Sequence, residues 1–82
     1  MEEEKKIIHQ IILDVWDLTK KYVFQTLDDN GWNKLIYEAN KLSNKYKKMD
    51  EKTSRLFSDI YFAIERYKVE RDKELLEIEG KT

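Results

Sequence analysis

A chain of 82 residues with no cysteine, no proline, two glycines and 40% charged residues excludes an all-β fold, a disulfide scaffold and thiolate chemistry. Its net charge of −1 gives no global field for nucleic acid or acidic membranes, and its longest apolar run, Ile60–Ile64, is far too short to span a bilayer. The N-terminus, MEEEKK, is acidic where signal peptides begin basic, so the sequence reads as one cytoplasmic domain over residues 1–82.

A first helix is expected over about 4–27. Glu2, Glu3 and Glu4 place negative charge at its start, where it complements the helix dipole. Ile8, Ile11, Ile12, Val15, Leu18, Tyr22 and Val23 follow the three- and four-residue spacing of one buried stripe. Leu13, Trp16, Phe24 and Leu27 form a second apolar line, since residues eleven apart share a face. Gln10, Asp14, Asp17, Lys21 and Gln25 leave a polar edge. A helix apolar over most of its circumference needs partners on two sides.

Leu27-Asp28-Asp29-Asn30-Gly31-Trp32 marks the first boundary. With Asp28 as N-cap, Leu27 and Trp32 fall at the two positions of a hydrophobic staple, which folds helix two (29–48) back on helix one. Trp32, Leu35, Ile36, Ala39, Leu42, Tyr46 and Met49 make its core face. The roughly opposite face aligns Lys34, Lys41, Lys45 and Lys48, with Tyr37 beside them.

Asp50 is the expected cap of helix three (51–79); without a turn there, helices two and three would fuse into one rod. Leu56, Phe57, Ile60, Ala63, Ile64 and Tyr67 are expected to face the core, with Tyr61 and Phe62 flanking. Lys68, Arg71 and Asp72 interrupt the stripe before Leu75, Leu76 and Ile78 resume it, and Gly80 reads as the stop. The pattern predicts an all-α, antiparallel three-helix bundle with a long C-terminal helix overhanging the other two.

Candidate chemistry is sparse. His9 is the only histidine and has no carboxylate three or four residues away on its helix. Asp14 and Asp17 share a face but read as the solvent edge of helix one. Ser43, Ser54 and Ser58 have no base nearby in sequence, and no glycine-rich phosphate loop is present. No catalytic residue, metal site or cofactor is expected. The line Lys34, Lys41, Lys45 and Lys48, with Tyr37, is a candidate contact for an acidic partner or nucleic acid, although it lacks the arginine that most often reads bases.

The segments Asp14-x-Trp16-Asp17-x-x-Lys20-Lys21-Tyr22, Asp28-Asp29-x-x-Trp32 and Glu38-Ala39-Asn40-x-Leu42-x-x-Lys45-Tyr46 resemble small helical proteins of Firmicutes phages and prophages. The resemblance implies a phage accessory protein acting in the host cytoplasm through protein contacts, some such proteins blocking host factors that include defence nucleases. It carries no functional residue over. The expectation is a non-enzymatic protein-binding module that also self-associates, through Leu13, Trp16, Phe24 and Leu27 on helix one and Leu75, Leu76 and Ile78 on helix three. The alternative is a nucleic-acid-binding accessory protein using the basic face of helix two.

Overall fold

The computed structural model describes residues 2–80, with side chains through residue 78. Helix α1 (Glu2–Leu18) runs directly into a π-helical turn (Thr19–Val23), and α2 (Asp29–Lys47) and α3 (Glu51–Gly80) follow. The three helices pack together, and no strand occurs among the described residues. No described helix is long and apolar enough to cross a membrane.

The first helix therefore ends earlier than the expected Leu27. The Thr19 hydroxyl donates to the Val15 carbonyl at 2.7 Å, and the next turn widens from α to π. The helical path stops at Phe24, and residues 25–28 connect to α2.

At that junction Asp28 is extended, and its carboxylate accepts from the Gly31 amide at 2.8 Å. Trp32 N–H closes the first α-helical bond onto the Asp28 carbonyl at 3.0 Å. Gly31 is needed here for its size. A Cβ added to it would lie 3.0 Å from Leu27 Cδ2, too close for Leu27 to fold onto the start of α2.

The second boundary is also real, so α2 and α3 are separate helices. Met49 and Asp50 N–H both turn back to the Tyr46 carbonyl, at 3.0 and 3.2 Å. Asp50 then caps α3 by accepting from the Thr53 amide at 2.7 Å, a bond that holds its carboxyl below the usual carboxylate range. Gly80, expected as a stop, is instead the last described residue of the helix.

Helices α2 and α3 make the most extensive contact in the molecule, and α1 lies on that pair. Ile11, Val15, Leu18, Leu35, Ala39, Tyr46, Phe57 and Tyr61 form one buried cluster. Burying each large side chain contributes about 1.5–3 kcal/mol before the entropy cost of ordering it. Tyr46, Phe57 and Tyr61 stack through it with centroid separations of 5.5 and 6.2 Å.

Several residues expected inside are outside. Ile8 and Ile12 stay exposed because α1 reaches its neighbours along a narrow front through Ile11, Val15 and Leu18. Ile36 and Met49 are likewise uncovered on α2. On α3 the inner face is turned: Leu56, Ala63 and Tyr67 are exposed, whereas Tyr61 is buried. The inner seam is instead Phe57, Tyr61, Ile64, Lys68, Arg71, Leu75 and Ile78, at alternating steps of four and three residues. A lysine and an arginine in that seam hid it from a purely apolar count.

Candidate functional site

The π-turn that ends the first helix leaves backbone carbonyls without intrahelical donors, and the partners come from α3. Lys68 Nζ donates to the Gln25 carbonyl at 2.7 Å and to Val23 at 3.3 Å. Arg71 adds a bond to the same Val23 oxygen at 2.7 Å. Lys68 has 0% of its surface exposed; Asp72 neutralises it at 3.1 Å, and its ammonium lies 5.4 Å from the Trp32 ring centroid. Two cations thus meet the negative end of the first helix, where the dipole favours them. The arrangement clamps the α1–α2 junction onto α3.

Immediately beyond the clamp the inner seam of α3 runs out of cover. Thr26, Leu27 and Trp32 from the junction, and Val69, Asp72, Lys73, Leu75 and Leu76 from α3, line an open groove of about 380 Å³. Leu76 and Ile78 are 67% and 63% exposed at its end. Phe24 is also exposed, with the Arg71 guanidinium 5.6 Å from its ring centroid.

The residues expected to form an interface are therefore divided. Leu27, Leu75 and Leu76 line the one groove, and Ile78 and Phe24 are exposed on the residues that continue it. Leu27 is half-buried rather than outward-facing, because it packs against the core and Gly31. Leu13 and Trp16 are exposed farther back on α1, outside the groove, with Lys20 Nζ 5.9 Å from the Trp16 ring. Thr26, Trp32 and Val69 complete the groove without having been marked for it. The available signal was the seam's spacing, which passes through Lys68 and Arg71 without a break.

The lysine line has a different setting. Asp14, expected as solvent edge, accepts hydrogen bonds from Tyr46 Oη, from Lys45 Nζ at 3.2 Å and from Gln10 Nε2 at 3.0 Å. Burial pushes its carboxyl up, but those three donors outweigh it and hold the group below the usual range. Burial, reinforced by Asp14, pushes the Tyr46 phenol far above its ordinary value. Lys21 meets Glu38 at 3.0 Å, and Lys41 stacks 5.5 Å from the Tyr37 ring. The Tyr22 phenol beside Glu38, together with Lys21, holds that carboxyl low against partial burial.

Asp14, Asp17, Lys20, Lys21, Glu38 and Lys41 consequently line one groove of about 610 Å³ with alternating charge. Such a groove has no net attraction for a polyanion, and Lys45 is already committed to Asp14. Lys34 and Lys48 are exposed at other points along α2. His9 is exposed on α1, and no group of three or more potential metal ligands comes together among the described residues. Compared with known proteins, the chain matches no family model, no curated protein and no solved structure.

Proposed function

We propose that this chain is a non-enzymatic protein-binding module, folded as an antiparallel three-helix bundle, that engages its partner through the far end of α3 and the groove beside it. Opposed helix directions are supported by the pairs Asp14–Lys45 and Lys21–Glu38 between α1 and α2. Ser43 with Ser54, and Trp32 with Lys68, support them between α2 and α3. The observation that carries the functional reading is the exposure of Leu76 and Ile78 at the mouth of a groove walled by Leu27, Trp32 and Val69. Single exposed apolar side chains are ordinary, but a contiguous protrusion and cleft favours a macromolecular contact. The resemblance to small phage proteins supports an accessory role in the host cytoplasm, with a host defence factor as the foreign partner.

The test compares proteins retained from a host lysate by the full chain and by a Leu76→Glu, Ile78→Glu variant of equal helicity. A protein retained only by the unaltered chain, and binding it saturably when purified, is the expected result. Equal retention by both chains overturns the assignment to this surface.

A further inference from the structure

We infer that a second copy of this chain occupies the groove at the end of α3, so that two α3 tips cross antiparallel about a two-fold axis beside Leu75. The inference rests on the protein-binding reading and names the occupant.

The seam of α3 is covered within its own chain as far as Lys68 and Arg71, which bond to Val23 and Gln25. From Leu75 onward the same seam continues with no cover from α1 or α2. A protrusion, Leu76 and Ile78, and a cleft that could receive it, Leu27 and Trp32, thus lie on one end of one molecule. A two-fold axis lets each copy supply both parts, and the resulting assembly closes on itself.

The charges fit that symmetry. Lys73 on the groove rim and exposed Glu77 are each two residues from Leu75. An antiparallel crossing centred on Leu75 places Lys73 of each copy opposite Glu77 of the other, giving two complementary pairs by symmetry. Among the described residues neither one forms an ion pair within its own chain, although they stand four apart. A parallel pairing would set Lys73 against Lys73 and Glu77 against Glu77, which like-charge repulsion disfavours.

Light scattering coupled to size exclusion, at tens of micromolar full chain, is expected to give twice the 10.0 kDa chain mass. Leu76→Glu with Ile78→Glu should return the mass to that of one chain at unchanged helicity. Mixing Lys73→Glu chains, whose tips carry two acids, with Glu77→Lys chains, whose tips carry two bases, should yield mainly heterodimer. A tip role confined to one chain would not produce that preference.

A dimer indifferent to Leu76→Glu and Ile78→Glu, or mixed chains that pair at random, overturns the proposed contact. A chain that stays single at these concentrations overturns the second copy. If that single chain still retains a foreign protein through Leu76 and Ile78, the protein-binding reading survives. If it retains nothing, both fall.

Discussion

The ammonium of Lys68 donates to the Gln25 carbonyl at 2.7 Å across 43 residues of sequence, with none of the lysine side chain exposed. It joins the end of the first helix to the last third of α3, and with Asp72 and Trp32 its charge is met on several sides. Lys68→Ala should cost on the order of 3–5 kcal/mol, because the Val23 and Gln25 carbonyls lose a donor and the lysine stem leaves a cavity. Lys68→Met keeps most of that volume and should cost about 2 kcal/mol, the scale of the lost hydrogen bonds. Urea melts of the two variants read both values. A more stable methionine variant would mean that desolvation of the charge outweighs its bonds.

Trp32 is half-buried against the core and beneath the same ammonium. Trp32→Ala should cost about 3 kcal/mol, near the lower end for losing a packed aromatic. Trp32→Phe retains the ring face and should cost about 1 kcal/mol. A loss under about 1 kcal/mol for the alanine variant would match an ordinary surface substitution and contradict the staple.

The Tyr46–Asp14 contact sets an acid dependence. Asp14 is depressed in the folded chain, so its contribution is fully present above the unfolded carboxylate pKa of about 3.9 and disappears as pH falls through the lower folded value. Stability should therefore fall below about pH 4, and Tyr46→Phe should flatten that slope. The phenols of Tyr46 and Tyr61 are raised, chiefly by burial, so the opposite sign applies. Their contribution is intact below the ordinary tyrosine pKa of about 10 and is lost as pH rises beyond it. Melts across both limbs, with tyrosinate absorbance on the alkaline one, test the pair.

The lysines of α2 should separate by position. Lys45→Glu puts a carboxylate against Asp14 and should destabilise by about 1 kcal/mol or more. Lys34→Glu and Lys48→Glu, both on exposed positions, should change stability by less than about 0.5 kcal/mol. With neighbouring acids facing this line, no salt-sensitive mobility shift with DNA or RNA is expected. A shift that weakens with salt and vanishes on reversing Lys41, Lys45 and Lys48 would restore the nucleic-acid reading.

Both interhelix boundaries were legible because an N-cap is local: Asp28 and Asp50 each act on an amide three residues away. The rotation of α3 was not. Its inner face includes Lys68, whose partners lie in a distant junction, so hydrophobicity alone counted the position as a break. Tyr61 was set at the flank for a similar reason, since the stacking of Phe57 on both Tyr46 and Tyr61 crosses between helices. The π-turn had only Thr19 as a local cue. The overhang needed helix length and apolar spacing, and both were visible in Leu75, Leu76 and Ile78.

That π-turn makes the chain sensitive to length in a way that substitutions do not reveal. A π-turn holds one residue more than an α-turn over the same advance, so Thr19–Val23 behaves as a local insertion within an otherwise regular helix. Deleting Lys20, an exposed residue whose side chain could be exchanged cheaply, would re-phase everything after it by about 100°. The Val23 and Gln25 carbonyls would swing away from Lys68 and Arg71, and Leu27 would leave Gly31. The backbone count across this turn is thus fixed more tightly than the identity of several residues within it.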